Sequence, residues 1–121
     1  MPLTKSPTKA AHLIQGEKAE EQAHNFLISQ GLIPIARNYR CKLGELDLIM
    51  KDQQSLVIIE VRYRKTDRYG SAMESITRTK QSRIIATTHC YLSSKKQDTP
   101  LRFDVVAISG NSKLEWIKNA F

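Results

Sequence analysis

The stretches GELDLIM at residues 44–50 and LVIIEVRYR at residues 56–64 decide the fold. Both are rich in aliphatic and β-branched residues, and short polar segments flank them, which is typical of buried β-strands. They predict strands over Leu43–Met50 and Leu56–Arg64. The second stretch is almost entirely apolar before Glu60 and polar after Val61. Glu60 is therefore expected where a buried strand meets the surface, a position that a ligand can reach.

Glu45, Asp47, Glu60 and Arg62 are the charged residues whose pairing matters most in these two strands. A tight hairpin turn centred on residues 53–54 pairs positions whose numbers sum to 107. Asp47 then faces Glu60, and Glu45 faces Arg62. Two carboxylates directly across a ladder repel one another unless a proton or a cation intervenes, and Mg²⁺ or Mn²⁺ resolves that repulsion. Two alternatives stay open: a solvated acidic face or salt-bridge lattice, and a turn shifted by one residue, which sends the two acids to opposite faces.

The rest of the chain alternates helical and strand patterns. Apolar residues recur at helical spacing in two segments, one followed by Gly31 and the other preceded by the capping residue Thr77. In the second helix the residues expected to face the core are Ile84, Ile85, Thr88, Tyr91 and Leu92. The remaining elements are predicted as helices Leu13–Gln30 and Thr77–Leu92, and as strands Ile33–Tyr39, Leu101–Ile108 and Leu114–Ile117.

The predicted order is α-β-β-β-α-β-β, which indicates a single α/β domain with a central mixed sheet flanked by helices. A length of 121 residues fits one domain, and 40% hydrophobic with 26% charged residues is an ordinary globular composition. Residues 1–12 mix Pro, Thr, Ser and Lys without apolar period and are predicted to be a flexible basic arm. Residues 13–121 form the domain.

Composition also excludes several classes of protein. No uninterrupted apolar run is longer than Leu56–Ile59, which is far shorter than a membrane span, and no signal segment is recognised, so a cytoplasmic protein without membrane contact is expected. The two cysteines, Cys41 and Cys90, lie far apart in sequence and outside any C-x-x-C motif. Neither a disulfide framework nor a cysteine metal site is indicated, and both are expected to be free thiols.

Basic residues predict a polyanionic partner. Nineteen Lys and Arg against twelve Asp and Glu give a net charge of +7, and residues 62–83 carry seven bases against two acids. Such a face binds the phosphate backbone of a nucleic acid without reading its sequence. The alternative is a charge excess that only maintains solubility. The predicted phosphate-binding residues are Arg64, Lys65, Arg68, Arg78 and Arg83.

Four motifs taken together resemble a known family. GELDLI, IEVRYR, TKQSRI and RFDVV, in this order and spacing, are similar to the YraN-type family of small bacterial proteins, from about Gly16 to the C-terminus. That family is similar in motif order to the PD-(D/E)XK nuclease superfamily, especially to Holliday junction resolvases. The resemblance implies a restriction-endonuclease-like fold and a Mg²⁺- or Mn²⁺-dependent endonuclease that acts on DNA, more than on RNA, with branched or structured DNA as substrate. A homodimer is expected by the same analogy.

The resemblance also implies roles for individual residues. Asp47 and Glu60 would hold the metal ion together with the carbonyl of Val61. The expected catalytic residues are Glu20, Asp47, Glu60, Arg62 and Lys80.

Arg62 departs from the superfamily pattern, which has lysine at this position. Arginine stays protonated, so it stabilises phosphate charge but does not act as a general base, and a metal-activated water becomes the expected nucleophile. The same departure leaves two other functions open. One is a nucleic-acid-binding module of this fold that has lost turnover, and the other is a protein-interaction adaptor with a basic face.

Overall fold

A computed structural model describes residues 8–64, 76–95, 99–111 and 113–121, with side chains from Gln15 onward. The elements follow the predicted α-β-β-β-α-β-β order. They are α1 (Thr8–Ser29), β1 (Ile33–Cys41), β2 (Gly44–Asp52), β3 (Ser55–Arg64), α2 (Arg78–Lys95), β4 (Leu101–Ser109) and β5 (Leu114–Ile117).

The five strands form one mixed sheet in the order β1-β2-β3-β4-β5. β3 and β4 are parallel, and the other neighbours are antiparallel. α2 provides the connection that a parallel pair requires. β1 is an outer strand, and its pairing with β2 shifts register between Pro34 and Ala36. The predicted single α/β domain with a mixed sheet is therefore confirmed.

The two helices cover opposite faces of the sheet. α1 buries Ala19, Ala23 and Leu27 against one set of strand residues, which includes Leu48 and Ile59. α2 buries a second set of side chains against the other face, where the packed residues include Leu46, Ile49, Ile58, Ile84, Tyr91 and Val105. Because the side chains of a strand alternate between faces, both layers draw on the same aliphatic strands β2 and β3.

The structure differs from the prediction in which residues of α2 face the core. Ile84, Thr87, Thr88 and Tyr91 are buried, following the i, i+3, i+4, i+7 spacing, whereas Ile85 lies beside this stripe and is 38% exposed. The two threonines tolerate burial because each hydroxyl donates to the carbonyl four residues earlier, at 2.7 Å. The predicted cap is present, since Thr77 Oγ1 accepts from the Lys80 N–H at 3.2 Å.

The ends of α1 differ in how well the sequence predicted them. Its start lies at Thr8, so residues 8–12 of the predicted arm are helical. Residues 1–7 lie outside the described range. At the other end, Gly31 has φ 99°, its N–H donates to the carbonyl of Ile28, and the N–H of Leu32 donates to that of Leu27. This pair of bonds is a Schellman motif, which ends the helix as the glycine predicted.

The sheet opens between β2 and β3. Their pairing begins at Asp52 with Ser55 and keeps the predicted sum of 107 as far as Leu48 with Ile59, where it stops. β1–β2 pairing continues to Cys41 with Gly44, and β3–β4 pairing continues to Arg64 with Ser109. The two halves of the sheet therefore diverge at the end that carries Asp47 and Glu60. Neither α1 nor α2, the helices in the described part of the chain, has an apolar stretch that could cross a membrane.

Candidate functional site

The opening between β2 and β3 places two carboxylates beside one another. Asp47 lies one position beyond the last paired residue of β2, and Glu60 one position beyond that of β3. Asp47 Oδ2 accepts a hydrogen bond from the Val61 N–H at 3.0 Å. This side chain thus replaces a ladder bond and joins the two strands where their backbones part.

Glu60 is the more buried of the two acids. It is 7% exposed, and its Oε2 has no hydrogen-bond partner among the described residues. Burial raises the pKa of Glu60 to about 8; the negative charge of Asp47 adds to the rise, and Arg62 partly offsets it. Because a buried carboxylate with one unpartnered oxygen is costly to ionise, Glu60 favours either a proton or a cation.

Asp47 and Glu20 also have raised pKa values at the opening. Burial raises the pKa of Asp47, the Val61 N–H and Arg62 lower it, and Glu45 raises it again. Burial also raises the pKa of Glu20 on α1, and the next largest cause is the charge of Asp47. Glu20 on α1 therefore lies close enough to Asp47 on β2 for their charges to interact.

Arg62 has a partner other than the one that the sequence predicted. Glu45 bonds to Arg40 across β1–β2, with Arg40 Nε 2.5 Å from Glu45 Oε2, whereas Arg62 Nη2 lies 3.9 Å from Glu60 Oε1. The predicted pair of Glu45 and Arg62 is wrong because β2 and β3 stop pairing before they reach these positions. Arg62 Nε is buried and has no hydrogen-bond partner in the described residues.

The carboxylate oxygens at the opening are of the kind that bind a hard divalent cation. Across the described ranges no group of three or more His, Cys, Asp or Glu side chains is placed to hold a metal ion. Mg²⁺ does not need one, because it binds through one or two carboxylates and keeps waters and substrate phosphates as its other ligands. The unpartnered oxygen of Glu60 and the neighbouring carboxylate of Asp47 offer such a pair.

The predicted basic residues lie on two elements. Arg78, Lys80 and Arg83 are exposed in the first turns of α2, and Arg64 is half-buried at the end of β3. Thr87, one turn after Arg83, packs close to Gly44 at the start of β2, so these bases lie at the open end of the sheet. Lys65 and Arg68 fall outside the described residues.

Sequence reasoning missed two buried polar groups outside the opening. Asp104 on β4 is fully buried and accepts bonds from Arg102, from Trp116 Nε1 and from the Asn119 N–H. Its only sequence signal is an acid within the apolar run of RFDVV. Cys41 and Cys90 also meet in the fold, and no spacing rule indicates that contact.

Comparison with known proteins gives one consistent family. The family model described as "Uncharacterised protein family UPF0102" matches residues 19–108. A UPF0102 protein of Saccharophagus degradans is 51% identical over 114 residues, covering 93% of this chain and 96% of that protein. Relatives in Nitrosomonas europaea (50% identity, 88% of this chain and 92% of that protein) and Nitrosococcus oceani (48%, 93% and 94%) carry the same description.

Proposed function

The chain belongs to the UPF0102 family, of the YraN type that its motifs resemble, and we propose that it is a metal-dependent nuclease acting on DNA. The proposal rests on the site at the opening of the sheet. The family descriptions state no activity, so the residues themselves carry the argument.

One observation carries the proposal: two buried polar atoms of neighbouring side chains are both without partners. Glu60 Oε2 is an acceptor and Arg62 Nε is a donor, and neither has a hydrogen-bond partner in the described chain. Buried polar groups in native proteins are normally satisfied, so an unsatisfied pair needs an explanation. A divalent cation at the glutamate and a phosphate oxygen at the arginine would satisfy both.

Asp47 and Glu60 are the residues that would hold the metal ion, with the backbone carbonyl of Val61 on β3 as a further ligand. When bound, Mg²⁺ or Mn²⁺ lowers the pKa of a coordinated water and neutralises charge on a phosphate. Asp47 is oriented by the Val61 N–H, which fixes the direction of its free oxygen. Glu20 adds a third negative charge at the opening, and its role is to attract and orient the cation.

Arg62 is suited to the phosphate rather than to proton transfer. Its guanidinium remains charged and offers donors to a phosphate oxygen as negative charge builds there. Lys80 at the start of α2 is the second candidate for this task. Neither group accepts the proton of an attacking water, so we assign them charge stabilisation alone.

DNA is the preferred substrate because the basic residues lie at the open end of the sheet. The net charge of +7 favours a polyanion, and the exposed bases of α2 extend the charged surface away from the carboxylates. Contacts of this kind grip phosphates without selecting bases. We propose branched or flapped DNA as the class that best fits a backbone-binding surface beside a small site.

Cleavage assays test the proposal directly. Labelled flap, four-way junction and single-stranded DNA are incubated with Mg²⁺ or Mn²⁺ and the wild-type chain, Asp47→Asn or Glu60→Gln. We expect metal-dependent cleavage by the wild type and a loss of roughly 100-fold or more in either variant. Asp52→Asn is the matched control, since Asp52 lies on the same strand but at the paired end, bonded to Arg102, and should retain activity.

Two results would overturn the enzyme proposal: cleavage that survives both substitutions, and no cleavage of any substrate with either metal. A second candidate function then gains support. The contact of Arg62 with Glu60, at 3.9 Å, favours a DNA-binding module without turnover, because the guanidinium partly neutralises the acid that a metal needs. Salt-dependent DNA binding without a calorimetric signal for Mg²⁺ or Mn²⁺ would identify that module.

A further inference from the structure

The two cysteines, distant in sequence, lie together between β1 and α2. Tyr39 and Cys41 are two residues apart on β1 and therefore share a face of the strand. Cys90 on α2 accepts a hydrogen bond from the Tyr39 hydroxyl at 3.4 Å. Thr87, one turn earlier on α2, lies against Gly44, the residue that pairs with Cys41. Both cysteines are free and half-buried. The fold thus brings both thiols to the same helix–strand interface, where the interaction with Cys90 is one of the causes that shift the pKa of Cys41.

Hydrogen-bond donors converge on Cys41. The Leu43 N–H donates to Cys41 Sγ at 3.3 Å, and the Gly44 N–H also interacts with this sulfur. Burial alone would raise the pKa of the Cys41 thiol, but these donors together outweigh it and hold the pKa below its ordinary value. A thiol in such a setting has an increased thiolate fraction and attacks electrophilic sulfur more readily.

Cys90 is the second thiol of the pair, and Tyr39 holds it in position. The hydrogen bond to Cys90 is the largest cause that raises the pKa of Tyr39, to about 12, and burial is the next. The phenol therefore stays protonated and keeps donating to the Cys90 sulfur. Cys90 is in consequence held next to Cys41, where it is placed to attack a bond formed on Cys41.

We propose that Cys41 and Cys90 are a thiol pair that closes reversibly into an intrachain disulfide when a small-molecule disulfide oxidises the chain. Cys41 thiolate attacks one sulfur of the oxidant, its S–S bond breaks, and one small thiolate leaves. The Cys90 thiol loses its proton to water and attacks the Cys41 sulfur of this mixed disulfide. The second small thiolate leaves, so two protein thiols become one disulfide and the oxidant becomes two thiols.

The disulfide would connect α2 to the end of β1. Thiol pairs that cycle in this way usually sense or respond to oxidants rather than hold a fold together. The inference is independent of the proposed nuclease activity, because neither cysteine belongs to the opening between β2 and β3.

Intact-mass analysis of the full chain tests the pair. The folded wild type is incubated with oxidised glutathione and then alkylated under denaturing conditions. We expect a monomer that has lost two hydrogen atoms, carries no glutathione, and yields one peptide that joins Cys41 to Cys90; dithiothreitol should restore both thiols. Glutathione retained on either cysteine of the wild type, a disulfide between two chains, or no reaction would each refute the pair.

Single variants test the assigned order of attack. Cys90→Ser should retain one glutathione on Cys41, since no second thiol can release it. Cys41→Ser should acquire glutathione on Cys90 several-fold more slowly, because Cys90 lacks the backbone donors of Cys41. Faster reaction of Cys90 than of Cys41 in these matched variants would contradict the order. The wild-type mass analysis remains decisive even if one variant folds poorly.

Discussion

At the scale of single residues, Asp104 organises the side of the sheet where β4 pairs with β5. Arg102 Nη2 lies 2.9 Å from one of its oxygens, and Trp116 Nε1 and the Asn119 N–H donate at 3.0 and 2.9 Å. Arg102 also reaches Asp52 at 2.9 Å. One buried carboxylate therefore ties β4 to β5 and, through Arg102, to the β2–β3 hairpin.

Replacing Asp104 by Asn should destabilise the protein by about 2–4 kcal/mol. The amide keeps one acceptor but leaves the half-buried guanidinium of Arg102 without its closest counter-charge. Urea denaturation measures the change. Asp52→Asn is the control, since Asp52 is 24% exposed and should cost less than about 1 kcal/mol. Equal costs for the two variants would contradict the assigned importance of Asp104.

The sequence identified individual site residues better than it identified the side chains with which charged residues form ion pairs or hydrogen bonds. Asp47 and Glu60 stood out because alternation and hairpin register place them side by side. The pairing of Arg62 could not be predicted, because it depends on where β2 and β3 stop bonding, and no residue type marks that point. Asp104 was missed for a related reason: its three partners come from positions 102, 116 and 119, which only the β4–β5 pairing brings together.

At the scale of elements, Gly16 inside α1 and Gly31 just after its end form a matched pair. A Cβ added at either position meets nothing within 4 Å, but Gly31 has φ +99° whereas Gly16 lies inside the helix. Gly31→Ala should therefore destabilise by about 1 kcal/mol, and Gly16→Ala should stabilise by roughly 0.5–1 kcal/mol. Thermal unfolding of both variants measures the difference. The same sign for the two would show that steric contacts, not backbone conformation, control these sites.

Hydrophobic period predicted the existence and order of every element, but not the ends of β1 and β2. β1 runs on to Cys41, which pairs with Gly44 across a tight turn. β2 begins at Gly44, one residue after the predicted start, and runs on to Asp52, which pairs with Ser55. Backbone pairing is not encoded in composition. Ile85 was misplaced for a different reason, since only the contacts of α2 with the sheet reveal which side of its apolar stripe faces outward.

At the scale of the whole molecule, the buried acids make stability depend on pH. The pKa of Glu60 is about 8 in the fold against an ordinary 4.5, so the folded chain binds more protons than the unfolded chain between these values. Stability should therefore fall as pH rises from about 5 to about 8, by up to a few kcal/mol. The raised pKa values of Asp47 and Glu20 act in the same direction. Urea denaturation across this range measures the slope.

Glu60→Gln is the matched variant for this dependence. It should remove most of the decline and be at least as stable as the wild type at pH 8, because it has no charge to bury. Added Mg²⁺ should raise the wild-type unfolding midpoint more at pH 8 than at pH 5 and leave the variant unchanged. A wild-type stability that is constant or increases over this range would contradict the assigned burial cost.

The outer position of β1 has a consequence for how separate molecules meet. An unpaired strand edge is a template for joining the strand of another chain, and exposed Ile33 and Ile35 would favour such aggregation. Pro34 withholds a donor there, and the register shift beside it bends the edge. Arg37 and Arg40, through their ion pairs with Glu21 and Glu45, keep the rest of the strand polar. Residues of β1 itself thus hinder edge-to-edge pairing, and any assembly of two chains is expected to use a surface other than this strand edge.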